Sequence, residues 1–109
     1  MAIADQKMAA ALRYIRQHAH ERDLRVADIA RSVGLSRRAT EIRFRAATGR
    51  TLRGEIEHVR LERLRALLTE SDATIGACTE ACGFAGQTHA GRVFRQRFGM
   101  TMGQWRKGQ

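Results

Sequence analysis

An all-α fold is the expectation for this chain, and three observations carry it. Aromatic residues make up only 6% and β-branched residues are sparse, whereas Ala, Arg, Leu and Glu, which lose little freedom in a helix, abound. Pro, the strongest helix breaker, is absent. Apolar residues return every three to four positions through most of the chain, which is the spacing of one helix face. About seven helices are predicted, in two helix-turn-helix subdomains joined by a long linker helix.

The elements follow in chain order. Met8, Leu12, Ile15 and Ala19 line one side of a first helix, Asp5 to about His20, with Arg13, Arg16 and Gln17 opposite. Val26, Ile29, Ala30 and Val33 mark a short second helix. Gly34 breaks it, Leu35 anchors the turn, and Ser36 caps a third helix from Arg37 to about Ala47. Small Ala30 lets the two helices approach closely, so this stretch reads as a helix-turn-helix. In the third helix Thr40, Phe44 and Ala47 point inward, and Arg37, Arg38, Glu41, Ile42 and Arg45 point outward. Thr48 and Gly49 close it.

Leu52 to Leu68 reads as one rod, roughly 25 Å long at ~1.5 Å per residue. Leu52, Ile56, Val59, Leu64, Leu67 and Leu68 form its apolar stripe. Glu55, Glu57 and Arg53 decorate its polar side, with Arg60, Glu62, Arg63 and Arg65. Arg63 and Arg65 are expected on a solvated helix side with local ion pairs rather than on a DNA face, and Arg60 to support the linker electrostatically.

The first pattern then returns. Ile75 stands for Val26, Cys78 for Ile29, Cys82 for Val33, Gly83 for Gly34 and Phe84 for Leu35, at an offset of 49 residues. Phe94, Gly99 and Thr101 echo Phe44, Gly49 and Thr51 at an offset of 50. A duplicated architecture follows: a first lobe over about 5–50, a linker helix over about 52–70 and a second lobe over about 72–107. The second lobe holds a helix from Gln87 to about Arg97 and a short last helix, Met102 to Lys107, that packs Trp105.

Composition narrows function. The formal net charge is +9, with 20 basic against 11 acidic residues, and Lys7 and Lys107 are the only lysines. Such a chain prefers polyanions, and Arg suits bidentate contact with phosphates and guanine edges. No apolar run approaches the length of a membrane span, no secretory signal is visible, and the two cysteines fit a reducing cytosol. Cys78 and Cys82, four apart with His89 nearby, do not match a zinc spacing and take apolar core positions in the repeat. His18, His20, His58 and His89 are scattered, with no base paired to a nucleophile. The chain is therefore expected to be no enzyme, and to hold no metal and no cofactor. Phe44, Phe94, Phe98 and Trp105 are read as core rather than as stacking platforms. Two unequal recognition helices, held about one duplex turn apart, would enter successive major grooves.

Ile29-Ala30-x-x-Val33-Gly34-Leu35-Ser36, with Phe44 and Thr48-Gly49, resembles the first half of the AraC-type (arabinose-operon regulator) DNA-binding domain. Arg60-Leu61 and Leu67-Leu68 look like its linker helix. Gly83-Phe84-x-x-Gln87, Arg92-Val93-Phe94-Arg95, Arg97 to Thr101 and Gln104-Trp105-Arg106 resemble its second half. The stretch Arg37 to Gly49 also resembles xylose-operon regulators of this AraC/XylS-type family. The resemblance implies sequence-specific binding to promoter DNA, activation through RNA polymerase, a cytoplasmic location, and often a ligand-sensing domain in the same polypeptide. By position it places base readers at Arg38, Glu41 and Ile42 in the first recognition helix, and at Gln87, Thr88, His89 and Arg92 in the second. Arg38 and Arg92 suit guanine O6/N7, Glu41 suits cytosine N4, and Ile42 suits a thymine methyl. Ser36, Arg37, Arg45 and Arg95 suit phosphates. The sequence departs from the family pattern at Thr40 and Ala90, where larger apolar residues are usual, at Met102, where Pro is typical, and at Ile42, usually polar. The competing reading is a nonspecific architectural or RNA-binding helical module.

Overall fold

The structure, a computed structural model, describes residues 5–108. Over these it contains seven helices and no strand: α1 (Gln6–His18), α2 (Val26–Ser32), α3 (Arg37–Thr48), α4 (Leu52–Glu70), α5 (Ile75–Ala81), α6 (Gln87–Phe98) and α7 (Met102–Lys107). They fall into two compact units, residues 5–19 with 23–59, and residues 20–22 with 60–108.

In the first unit α1 is shorter than its apolar spacing suggests, because Asp5 leaves the helix to cap it. Its carboxylate accepts from the backbone N–H groups of Lys7 and Met8. The same carboxylate takes both arms of Arg43 on α3, from Nε at 3.0 Å and Nη2 at 2.9 Å. Burial pushes the Asp5 carboxyl up. The Arg43 hydrogen bond, the Met8 N–H, the Arg43 charge and the Lys7 N–H together outweigh it, so the group sits below the ordinary aspartate value. Met8, Ala11, Ile15, Ile29, Phe44 and Leu52 build the core of this unit. Phe44 is fully buried, which contributes on the order of 2–3 kcal/mol.

The turn between α2 and α3 is closed by the backbone. Leu35 N–H donates to Ala30 O at 3.1 Å and Gly34 N–H to Arg31 O at 3.2 Å. This is a Schellman end, and it needs the left-handed φ of +70° that Gly34 supplies. Ser36 then starts α3, its Oγ accepting from Ala39 N–H. Buried Thr40 replaces the expected larger apolar residue without a lone polar atom, since its Oγ1 donates to Ser36 O at 2.7 Å.

Glu55 corrects the reading of α4. It is not an outward decoration: its carboxylate is buried and accepts from Arg50 Nη1 at 2.8 Å. The turn at Gly49 brings Arg50 back over the first turn of α4, so a charged pair fills a position that spacing assigns to solvent. α4 ends at Glu70, within the bounds of about 52–70 expected for the linker helix.

The second unit repeats the scheme. Phe84 N–H donates to Thr79 O and Gly83 N–H to Glu80 O, the same Schellman end, with Gly83 at φ +93°. Its core gathers Leu61, Leu64, Leu68, Cys78, Cys82 and Phe94. Leu61, outside the predicted stripe, is fully buried. Ala90 is fully buried as well and packs in the same cluster. Lacking Pro, α7 starts on a capping box: Thr101 Oγ1 accepts from Gln104 N–H, and Gln104 Oε1 accepts from Thr101 N–H. Trp105 lies against Phe98, ring centroids 6.0 Å apart, and donates to Thr69 Oγ1.

Arg65 makes the local ion pair expected of it, with Glu62, and remains partly exposed; in addition its guanidinium sits 4.9 Å from the Phe98 ring centroid and 5.7 Å from that of Trp105. The aromatic faces offer a planar cation a better seat than water alone does. Arg106 ties α7 down. Nε donates to Leu68 O at 3.0 Å, Nη1 to Ala73 O at 2.6 Å and Nη2 to Ser71 O at 3.2 Å, and Nη2 also lies 3.5 Å from Cys78 Sγ.

Candidate nucleic-acid interface

Inward residues of α3 and α6 fix which residues face out. With Thr40 and Phe44 buried, Arg38, Glu41, Ile42 and Arg45 stand exposed at i, i+3, i+4 and i+7, on one side of α3. Ile42 is 57% exposed, a large apolar side chain held in water on a helix that otherwise carries four Arg and one Glu. Arg37 is exposed too, and its Nε donates to Glu41 Oε1 at 3.0 Å. That pair partly neutralises the one carboxylate that would repel a phosphate backbone. Ser36, at the N-cap, is exposed. Arg43 turns away to Asp5 and so anchors α3 rather than joining its outer face.

In α6, Ala90, Val93 and Phe94 are buried. Gln87, Thr88 and His89 in the first turn, and Arg92 and Arg95 further on, are exposed. The helix contains three Arg and no acidic residue. Gly86 precedes it in extended conformation with no side-chain cap. Arg92 Nη2 lies 2.9 Å from His89 Nδ1, and the His89 ring stands edge-on to buried Phe84 at 6.3 Å between centroids.

Beside each of these helices is a concavity. Next to α3 it is about 350 Å³, bordered by Arg37, Glu41, Arg45, Thr51 and Arg53. Next to α6 it is about 730 Å³, bordered by Gln87, Arg92, Arg95, Gln96 and Thr101. The two correspond in the repeat, Arg45 to Arg95 and Thr51 to Thr101. Arg53 and Gln96 were not singled out from sequence. The equivalence of Thr51 and Thr101 was the available signal, since it places the start of the following helix beside both recognition helices.

Cys78 and Cys82 lie in the second core, each 1% exposed. Burial, with the neighbouring Cys78, outweighs the charge of Arg63 and pushes the Cys82 thiol up to about 11. A thiol held protonated in this way is a packing group, not a nucleophile. Among the described residues no group of His, Cys, Asp and Glu is arranged to hold a metal ion, and no helix is long and apolar enough to cross a membrane.

Residues 29–108 match the family model described as a helix-turn-helix domain. A solved transcriptional regulator with an AraC-type DNA-binding domain, from Chromobacterium violaceum, is 30% identical. The match covers 95% of this chain and 92% of that one, with a TM-score of 0.86. The chain belongs to the AraC-type helix-turn-helix family. That family is one of DNA-binding domains, not of enzymes. The DNA-binding domain of AdpA, solved in complex with a target DNA, is 26% identical over 93% of this chain and 90% of that one, with a TM-score of 0.87. The transcriptional activator NphR of Rhodococcus sp is 36% identical over 95 residues, which are 87% of this chain and 28% of NphR. The chain thus spans little more than a quarter of the length of the curated relatives it matches.

Proposed function

We propose that this AraC-type domain binds double-stranded promoter DNA sequence-specifically and regulates transcription as an activator. The observation that carries the reading is the outer face of α3 and α6. Both helices turn apolar residues inward and expose, in their first turns, side chains suited to base edges, with arginines alongside. Arg38 and Arg92 address guanine edges, Glu41 cytosine N4 and Ile42 a thymine methyl, while Gln87, Thr88 and His89 read the second half of the site. Ser36, Arg37, Arg45 and Arg95 take phosphates. The two helices enter successive major grooves of one site. RNA polymerase is the proposed partner in activation, a ligand-sensing domain accompanies this one where the native polypeptide is longer, and the cytoplasm is the proposed location.

Selection from randomised duplexes with the purified chain tests the reading. It is expected to return two unequal half-sites about one helical turn apart. Arg38→Ala should then cost about 1–3 kcal/mol of discrimination at one guanine of one half-site. Uniform binding to random duplex and to RNA, with steep salt dependence and no preferred sequence, would establish the nonspecific alternative instead.

A further inference from the structure

We infer that His89 is a purine reader, set by Arg92 to present an Nε2–H donor to the major groove; this rests on the DNA-binding reading above. Arg92 Nη2 and His89 Nδ1 are 2.9 Å apart. A guanidinium has only donors, so Nδ1 must accept, and the ring proton is on Nε2. The neighbouring Phe84 ring stands edge-on to the imidazole at 6.3 Å. Phe84 is itself only 4% exposed, so one neighbour of the imidazole is fixed by the core. Arg92 and Phe84 together fix both the tautomer and the orientation of an exposed side chain in the first turn of α6, where a recognition helix meets base edges.

A specificity follows from that tautomer. In the major groove both purines offer N7 as an acceptor, whereas at the place of N7 thymine presents its C5-methyl and cytosine a C5–H, the thymine O4 acceptor lying further toward the groove centre. A lone N–H donor aimed at N7 takes adenine or guanine alike and refuses pyrimidines on that strand. His89 therefore contributes one two-fold degenerate position to the second half-site. Arg92 positions His89 through Nη2, and its remaining N–H groups are left for the guanine edge proposed for it above.

Two measurements test this. The first is nitrogen NMR of the free chain labelled in its histidines. The wild type should show a protonated ε2 and an unprotonated δ1 nitrogen at His89, and Arg92→Met should release a mixture of tautomers. A proton on δ1 in the wild type overturns the assignment without touching the DNA reading. The second uses the selected site. One position should accept A or G only. Its 7-deaza analogue, which replaces N7 with C–H, should weaken wild-type binding about threefold to tenfold, the weight of one hydrogen bond. The same analogue should leave His89→Ala unaffected, and that variant should lose the purine preference. A selected site whose base preferences are identical in wild type and His89→Ala overturns the proposal alone. A wild type that selects no sequence removes the DNA reading and this inference with it.

Discussion

Arg106→Met should cost the second unit about 2–4 kcal/mol, and the figure can be built from the bonds lost. The guanidinium donates to three backbone carbonyls, those of Leu68, Ala73 and Ser71, at 3.0, 2.6 and 3.2 Å. A hydrogen bond involving a charged group is worth about 1.5–3 kcal/mol, and an acceptor left unpaired in a partly buried site carries a desolvation penalty of similar size. The contact at Ala73 is exposed, so water takes the donor's place there and little is lost. Those at Leu68 and Ser71 are partly buried, and the longer one counts for less. Met keeps the unbranched stem, so the loss is of the donors rather than of packing. At about 4–8 °C per kcal/mol for a domain of this size, the Tm should fall by on the order of 10–30 °C. Arg106→Lys should recover less than half, because one ammonium cannot span three carbonyls. Thermal melts followed by far-UV circular dichroism read both variants. A Tm for Arg106→Met within about 3 °C of the wild type would refute the reasoning and show the three contacts to be incidental.

Phe44→Ala and Phe94→Ala each empty a fully buried site and should cost about 3–5 kcal/mol; calorimetry should show the loss for each, and a change under 1 kcal/mol would place the ring elsewhere. Asp5 is held below its ordinary range, so its contribution is present above the unfolded value and is lost as pH falls from about 4 through the folded value. Asp5→Asn should therefore flatten the acid limb of a stability-versus-pH curve, measured by urea unfolding, while leaving neutral-pH helix content intact. The thiols of Cys78 and Cys82 should react with an aromatic disulfide at neutral pH only as fast as the second unit opens; labelling within the mixing time would contradict their burial. Above about pH 8.5 the unfolded Cys82 ionises while the folded one stays protonated up to about 11, so stability should decline across that window.

The helices were legible because their signals are local. Ser36 before an amphipathic run, Gly34 and Gly83 after one, and buried Phe44 and Phe94 each act within a few residues of themselves. The outward residues of α3 and α6 were legible for the same reason, as the complement of the inward ones. What stayed hidden depends on partners far along the chain. Arg43 finds Asp5 across 38 residues, and Arg106 finds the Leu68 carbonyl across another 38. A backbone carbonyl leaves no mark in a sequence, and a polar pair has no periodicity. Glu55 looked like surface because spacing alone cannot show that Arg50 folds back over it. The aromatic contacts of Arg65 were hidden because Phe98 and Trp105 are more than 30 positions away. The link between Arg92 and His89 is local, at i and i+3, yet its chemical content lies in which ring nitrogen accepts, and a letter code does not carry tautomers.

The bends at Gly34 and Gly83 are closed by main-chain hydrogen bonds and pinned by the inward side chains of Leu35 and Phe84. None of those closing bonds comes from the exposed side chains Arg38, Ile42 or Thr88 of α3 and α6. If Arg38, Ile42 and Thr88 read bases as proposed, natural drift or a protein engineer can rewrite them in one half and leave the other half's target untouched, provided the glycine pivots and the inward phenylalanines stay. On the proposed DNA reading, a duplicated scaffold of this kind carries two separately retunable read heads on one chain.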